Sequence, residues 1–370
     1  MINIAYDPQI FSGQVYGGVS RYICEIATRI SKNPDVSVKI AAPMYVNAYL
    51  ENVPKKILTG FKSPFPYEFL RLYQRASSML LGEAVLRYMK PDIIHETYYF
   101  KYPLGPKSAT RVLTIYDMIH EKFESQFQYG DKTAKHKAVA AARADHIICI
   151  SESTKCDVIE ILGIKPEKIT VIHLGFDLMA VNADELNIQA DNMGKPYLLF
   201  VGTRGGYKNF QSMLEAFATS QVLKSEFNLI CFGGGIFNAE ELALMQKLGV
   251  SAQQVTQLSG NDQLLAKLYE GASVFVFPSL YEGFGIPPLE AMSYNCPVVC
   301  SNSSSIPEVV GDAGEYFDPY DAKSIQSAIE LVVGSTELKK SLIVKGKDRL
   351  NGFSWDKCAA ETLTVYKGLI

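Results

Sequence analysis

A short apolar strand followed by a glycine loop and a helix constrains this chain more than any other stretch. Val274–Phe277 is a β-prone apolar run that stops at Pro278, and a loop containing Gly283 and Gly285 follows it. Pro287 fits the first turn of a helix, where a missing N–H costs little. A continuous apolar strand that leads through glycines into a helix is typical of a parallel sheet covered by helices on both faces. The stretch therefore favours an α/β fold.

Two glutamates in the same stretch suggest what such a fold would bind. Glu282 falls in the glycine loop and Glu290 falls within the following helix, with seven residues between them. A glycine-rich backbone at a helix N-terminus is suited to a phosphate. Glu282 would then lie beside the group attached to the phosphate, and Glu290 would reach a ribose on the other side, which together describe a nucleotide sugar. An ordinary α/β connection with two chance glutamates is the alternative at this point.

Glycine loops also follow other apolar strands. Tyr197–Val201 leads into a loop that holds Arg204 and Lys208, two cations suited to a diphosphate, although solvated loop charges are an equal alternative. Gly233 opens a triple-glycine turn with room for a flat base. Gly17 and Gly18 follow the first strand, where they permit either close approach to a ligand or a tight turn with positive φ.

Two strands in the first half of the chain end in polar clusters. They begin at Pro91 and Ala109, and the clusters are His95–Tyr98 and Tyr116–His120. Ligands of open parallel sheets bind beyond the carboxyl ends of the strands. Both clusters are therefore candidates for a site.

The stretch FPSLYEGFGIPPLEAMSYNCPVV resembles the signature of the retaining nucleotide-sugar glycosyltransferases of family 4. The resemblance extends over nearly the whole chain and implies the GT-B fold, in which two Rossmann-like domains face each other across a cleft. It implies an acceptor-binding domain over residues 1–180 and a nucleotide-sugar domain over 181–352. A last helix within 353–370 would cross back to the first domain.

The resemblance also implies roles for particular residues. Tyr116 stands where the family usually has a histidine, and His120 is the candidate to take over part of that role. The implied catalytic residues are Glu282, Lys208, Arg204, Asp117 and His120. The implied donor-binding residues are Glu290, Phe284, Gly285, Ile286, Leu258, Ser259 and Gly233. Gly17, Gly18 and Ser151 would face the acceptor and the diphosphate.

The reaction implied is retaining transfer of a hexosyl group from a nucleotide-diphosphate sugar to a glycan or polyprenyl-linked glycolipid. By resemblance to bacterial O-antigen mannosyltransferases, a GDP-linked mannose is favoured over a UDP-linked hexose, and cell-surface polysaccharide biosynthesis is the expected setting. The family needs no metal or other cofactor, and front-face attack assisted by the leaving phosphate is its usual mechanism. A GT-B-fold epimerase and a non-catalytic nucleotide-sugar-binding protein are the alternatives.

Composition and charge indicate which partners and which cellular location to expect. A net charge of −3 argues against a dedicated nucleic-acid binder. Seven scattered cysteines indicate free thiols in a reducing compartment, and no signal peptide or membrane span is apparent, so we expect a cytoplasmic protein. Residues 54–90 interleave basic and aromatic side chains, as a segment on the inner membrane surface would. An ordinary domain helix with a charged outer face is the favoured alternative for that segment.

Overall fold

The chain forms two units in this computed structural model, which describes residues 1–64, 67–176, 194–251 and 253–370. The first unit comprises Met1–Gly175 with Phe353–Ile370, and the second comprises Phe176–Gly352. The polar residues from Met179 to Lys195 predict an interdomain linker, and they lie almost entirely outside the described residues, as does the predicted boundary at residues 180 and 181.

The first unit is built on a sheet of seven parallel strands in the order β3-β2-β1-β4-β5-β6-β7. The strands are β1 (Ile2–Tyr6), β2 (Val36–Tyr45), β3 (Leu58–Lys62), β4 (Ile93–Glu96), β5 (Thr110–Ile115), β6 (His146–Cys149) and β7 (Ile169–Val171). The helices between them are α1 (Gln9–Gly13), α2 (Gly18–Ile30), α3 (Tyr67–Met89), α4 (Ile119–Lys122), α5 (Thr133–Arg143) and α6 (Glu152–Leu162). Its central strands are buried on both faces, which is why they read as continuous apolar runs.

The second unit repeats this plan with six parallel strands in the order β10-β9-β8-β11-β12-β13. They are β8 (Tyr197–Val201), β9 (Asn228–Phe232), β10 (Val255–Leu258), β11 (Val274–Phe277), β12 (Val298–Ser301) and β13 (Gly314–Phe317). The helices are α7 (Phe210–Thr219), α8 (Gln221–Glu226), α9 (Ala239–Lys247), α10 (Asp262–Gly271), α11 (Ile286–Ser293), α12 (Ile306–Val310), α13 (Ala322–Gly334) and α14 (Thr336–Leu350). The chain adds strands on one side of β8 and then returns to its other side. The crevice between β8 and β11 is therefore the topological switch point, where open α/β sheets bind ligands.

The last helix, α15 (Trp355–Gly368), belongs to the first unit and packs on α2. Its Tyr366 is fully buried, and the Tyr366 hydroxyl lies 2.5 Å from Nδ1 of His95. The other ring nitrogen of His95, Nε2, lies 2.8 Å from the hydroxyl of Thr114. The backbone of Trp355 approaches Gly175 so closely that a Cβ there would lie 2.3 Å from the Trp355 nitrogen. Residues distant in sequence thus complete the core of this unit.

Two elements differ from the prediction, and both are sheet edges. From the sequence we predict a turn over Gly314–Pro319, but β13 begins at Gly314 and pairs with β12. Similarly, β3 starts the basic aromatic segment that was expected to be helical, and it pairs with β2. Edge strands pack one partner only and have exposed positions, so they lack the continuous apolar run by which buried strands are recognised.

Candidate functional site

The loop after β8 places a lysine against the first of the two predicted glutamates. Lys208 Nζ lies 2.7 Å from Glu282 Oε1, and both side chains are largely buried. The Lys208 ammonium also lies 5.3 Å from the ring centre of Tyr207 and 5.7 Å from that of Phe277. An ion pair between aromatic rings is less screened than one in open water, so its charges act strongly on a nearby ligand.

Asn209 fixes the position of Lys208. Its backbone is left-handed, with φ of 57°, and its side-chain amide donates to the carbonyls of Pro278 at 3.1 Å and Pro319 at 2.7 Å. The N–H of Leu280 also donates to the carbonyl of Tyr207 at 2.7 Å. These bonds join the loop after β8 to the loop after β11. They explain why residues 208 and 282, far apart in sequence, meet across the switch point.

A serine run after β12 holds Glu282 from the other side, a role that the sequence analysis missed. The N–H of Glu282 donates to Ser304 Oγ at 2.9 Å, and Ser305 Oγ donates to the carbonyls of Glu282 and Phe284, each at 2.8 Å. Ser304 has φ of 50°. Positive φ at residues other than glycine stores strain that clusters at functional sites. Asn209 and Ser304, on either side of the Lys208–Glu282 pair, are two such residues.

The glycine loop ends at the N-terminus of α11, as the sequence indicated. Gly285 has φ of +109° and precedes Ile286, the first helical residue, while Phe284 is buried beneath the loop. The backbone therefore turns sharply at the one position where glycine is needed. The helix N-terminus and the Lys208 ammonium both lie beside the glycine loop after β11, and both favour negative charge.

Glu290 contacts a buried tyrosine. The hydroxyl of Tyr269 donates to Glu290 Oε2 at 3.1 Å. Burial raises the pKa of Tyr269 well above its usual value, so this hydroxyl stays protonated and orients the carboxylate. A carboxylate accepts more than one hydrogen bond, so the contact with Tyr269 is compatible with a bond from a ligand.

Arg204 is bonded to groups other than the Lys208–Glu282 pair. Its guanidinium forms a bidentate ion pair with Glu241 at 2.8 and 3.2 Å, and it donates to the carbonyls of Gly233 and Gly235, each at 2.9 Å. The side chain is 3% exposed. This arrangement uses the fork of the guanidinium within the protein. The role at the diphosphate stays a prediction for Arg204, and Glu241 is a partner that the sequence analysis missed.

The residues predicted to meet a base are joined in one hydrogen-bonded group. The N–H of Gly233 donates to the carbonyl of Leu258 at 2.9 Å. The Gln257 amide donates to that same carbonyl at 2.8 Å and to Ser259 Oγ at 2.6 Å. Through Gly233 this group continues to Arg204, which therefore holds the triple-glycine turn in place.

The predicted residues of the first unit lie at the carboxyl ends of its strands. Asp117 lies 3.6 Å from Nζ of the fully buried Lys137, which also lies 2.8 Å from Glu121. His120 stacks on Phe127 with ring centres 3.9 Å apart, and its buried Nδ1 has no hydrogen-bond partner within the described part of the chain. Both rings line a cavity of about 320 Å³ that also includes Tyr129. Lys137 was not singled out from the sequence, because a buried lysine looks like any helical lysine there.

Three other predicted positions of the first unit have local structural roles. Ser151 caps α6 by accepting from the N–H of Thr154 at 3.0 Å. Gly17 has φ of 164°, which is extended backbone, so no positive-φ turn explains it. Gly18 is the first residue of α2 and has open space where a Cβ would be. An open helix N-terminus of this kind is compatible with the predicted approach to a ligand.

The buried residues at these strand ends differ from the accessible ones. His95 lies within the core, where burial lowers its pKa to about 3. Tyr116, at the position where the family usually has histidine, is buried, and its hydroxyl donates to the carbonyl of Thr97 at 3.4 Å. Among the described residues there is no group of three or more His, Cys, Asp or Glu side chains arranged to hold a metal ion.

Comparison with known proteins agrees with this architecture. Residues 16–179 match the profile described as Glycosyltransferase Family 4, and residues 182–349 match Glycosyl transferases group 1. The structure aligns with that of sucrose-phosphate synthase from Thermosynechococcus elongatus with a TM-score of 0.74 at 20% identity, covering 100% of this chain and 99% of the other. This likeness shows the GT-B fold.

Curated relatives include two proteins of Escherichia coli. An O-antigen chain mannosyltransferase B is 37% identical over 176 residues, which are 46% of this chain and 45% of the relative. A serotype-specific mannosyltransferase is 28% identical over 324 residues, which are 80% of this chain and 39% of the relative. The chain thus spans less than half the length of either relative. With two family profiles matched in order and a Rossmann-like sheet in each unit, the chain belongs to glycosyltransferase family 4.

Proposed function

We propose that the protein transfers a hexosyl group, with mannose favoured, from a nucleotide-diphosphate sugar to a glycan or polyprenyl-linked glycolipid. The observation that carries the proposal is the Lys208–Glu282 pair, with 2.7 Å between Nζ and Oε1, at the switch point of the second unit. A cation and a helix N-terminus beside one glycine loop suit a diphosphate, and the carboxylate suits sugar hydroxyls. The names of the two mannosyltransferase relatives support mannose as the sugar, and GDP as its nucleotide carrier is part of the proposal.

In the proposed reaction the bond between the sugar C1 and the phosphate oxygen breaks, and the acceptor oxygen bonds to C1 on the same face. The acceptor proton passes to the departing phosphate. Lys208 would stabilise the negative charge that grows on that phosphate, which matters more in the transition state than in the ground state. Glu282 would hold the sugar through its hydroxyls while paired with Lys208. Glu290, oriented by Tyr269, would accept from the ribose.

The reaction is proposed to retain the anomeric configuration and to need no metal ion, with Lys208 and the N-terminus of α11 acting on the diphosphate. Arg204 would act indirectly, because it holds the turn at Gly233, and this turn would face the base. The acceptor would bring the protein to the inner face of the membrane where such lipids are carried. These assignments share one site, so one set of assays tests them together.

The test is to incubate the protein with GDP-mannose, UDP-glucose and other nucleotide sugars, with and without a glycan acceptor. Acceptor-dependent release of nucleotide supports the transferase. Conversion of the free nucleotide sugar without acceptor would indicate the epimerase, and binding without turnover would indicate a non-catalytic binder. The anomeric configuration of the product, by NMR, tests retention, and assays in a chelator test the independence from metal ions.

A further inference from the structure

Helix α3 directs several large apolar side chains outward, although Met79, Val85 and Met89 pack inward. Among residues 72–89, whose side chains are described, the fully buried line at intervals of four consists of Gln74, Ser78, Gly82 and Leu86. A helix that covers a sheet usually buries its large apolar side chains and exposes polar ones. In this helix most of the buried line is polar or glycine. The segment was predicted to have a charged outer face, and α3 does expose Arg75 and Arg87, but it exposes several large apolar side chains as well.

The outer side of α3 exposes large apolar side chains together with Arg87. Leu72 and Leu80 are 77% and 75% exposed, and they are joined by three further exposed side chains, Tyr73, Leu81 and Tyr88. At 3.6 residues per turn Tyr73 and Leu80 lie opposite the buried line, and Leu72, Leu81 and Tyr88 lie on its flanks. Single exposed leucines are ordinary, but several large apolar side chains exposed on one helix mark an interaction site.

Packing fixes this orientation of the helix. A Cβ at Gly82 would lie 2.5 Å from the side chain of Pro8, so only glycine permits the close contact with the residues before α1. Gln74 Nε2 donates to Ser63 Oγ at 3.0 Å, which ties the helix to the end of β3. Leu86 packs in a small core with Ala5 and Ala41. Rotating α3 to bury its leucines would break all three contacts.

Charge identifies the kind of partner. Residues 54–90 contain seven Lys or Arg and two Asp or Glu residues, in a chain whose net charge is −3. Arg75 and Arg87 are exposed on α3, Lys90 is exposed directly after it, and Lys55 and Lys56 are exposed just before β3. A second copy of the protein would bring two such basic faces together, and like charges repel. A partner that can bind both the leucines and the lysines has an anionic surface and an apolar layer beneath that surface.

We propose that the outward face of α3, from Leu72 to Tyr88, docks the protein on an anionic lipid membrane. The leucines enter the boundary between headgroups and acyl chains, the tyrosines lie at the level of the headgroups, and the basic side chains contact the anionic lipids. Only the biological reason for the contact, access to a lipid-linked acceptor, rests on the proposed function.

The test is co-sedimentation of the whole protein, without donor, with vesicles of phosphatidylcholine alone or mixed equally with phosphatidylglycerol. We expect retention by the mixed vesicles, weaker retention by the neutral ones, and release at high salt. Replacing Leu72→Glu and Leu80→Glu together should weaken retention at least about tenfold. Both positions are exposed, so the fold should be kept, which circular dichroism checks. Val344→Glu, at an exposed aliphatic position on α14, is the matched control and should bind as wild type does.

Several results would overturn the proposal. These are equal retention of the double variant and wild type, no retention by either vesicle, or self-association through α3, seen by sedimentation velocity, in place of vesicle binding. Activity is measured separately on a water-soluble acceptor and on a lipid-linked one. The double variant should lose transfer only to the lipid-linked acceptor. If vesicles bind the protein but no acceptor is glycosylated, the proposed function fails while the membrane-docking face stands.

Discussion

Arg204 and Lys208 lie four residues apart in one loop, but their surroundings differ. The Arg204 side chain is 3% exposed and bonded to Glu241 and to the carbonyls of the triple-glycine turn. The Lys208 side chain is 17% exposed and paired with Glu282 at the switch point. A buried and fully bonded charge stabilises structure, whereas an accessible one can act on a ligand. Charge in a glycine loop therefore does not by itself indicate a catalytic role.

The first unit shows the same contrast at its strand ends. His95 is buried and bonded to Tyr366 and Thr114, while Asp117 keeps a side chain that is 31% exposed. Both were candidates from the sequence because both follow buried strands. Across both units we expect the buried polar residues to govern the free energy of unfolding and the accessible ones to govern turnover.

The largest expected effect is that of Arg204→Ala. Removing one partner of a buried ion pair leaves Glu241 uncompensated, and we expect the free energy of unfolding to fall by about 3 kcal/mol or more. Arg204→Lys should recover only part of it, because an ammonium lacks the bidentate fork. Urea denaturation measures both. Unchanged stability with a loss of kcat would show instead that Arg204 acts on the diphosphate.

Lys208→Ala should have the opposite signature. We expect kcat to fall about a hundredfold, by analogy with the loss of a donor that stabilises transition-state charge, with a smaller change in donor KM. The free energy of unfolding should change less than in the Arg204 variant. Lys345→Ala, which removes an exposed lysine paired with Asp312 elsewhere in the second unit, is the control and should leave kcat unchanged. A near-normal kcat in the Lys208 variant would remove the main support for the proposed mechanism.

His95 should make stability depend on pH. Burial lowers its pKa to about 3 in the folded state, so the unfolded state, with its usual value of 6.5, binds the proton more readily. The contribution of neutral His95 to the free energy of unfolding is therefore present above pH 6.5 and is lost as the pH falls. We expect the free energy of unfolding to decrease by about 2 kcal/mol from pH 6.5 to 5.

The measurement is the free energy of unfolding of wild type and of His95→Gln at pH 6.5 and at pH 5. The change with pH in wild type, minus the change in the variant, is the effect of His95. The difference also separates His95 from Asp7, whose pKa burial raises to about 6 and whose contribution to stability has the opposite sign. His136→Gln, at a less buried position, should leave most of the pH dependence in place. Identical pH dependence in wild type and His95→Gln would contradict the prediction.

Glu290→Gln should have the smallest effect of the four. Glutamine keeps the volume and can still accept from Tyr269, but the hydrogen bond to a ribose loses its charge assistance, worth about 1 kcal/mol. We expect a several-fold higher KM for the donor with kcat and unfolding unchanged. Steady-state kinetics at varied donor concentration measure it. A donor KM equal to that of wild type would exclude Glu290 from the ribose contact.

The sequence by itself determined the architecture and most of the chemistry available at the strand ends. Strands buried on both faces need continuous apolar residues, so Tyr197–Val201 and Val274–Phe277 were predicted with the bounds that the structure has. The glycine loop at Gly285 was readable because only glycine readily adopts its backbone conformation. The edge strands β3 and β13 were not predicted because their exposed positions do not require apolar residues.

Only the tertiary structure decided which polar residues are accessible and which are enclosed. Arg204, His95 and Lys137 have the same residue types as functional groups, and their burial depends on partners far along the chain. Glu241, Tyr366 and Glu121 are those partners. The same holds for α3, whose apolar pattern alone predicts burial but whose contact at Gly82 turns the leucines outward. Long-range packing sets these outcomes because a local pattern specifies only the chemical type of a side chain. Its neighbours in the fold determine whether that side chain is exposed and which groups it bonds.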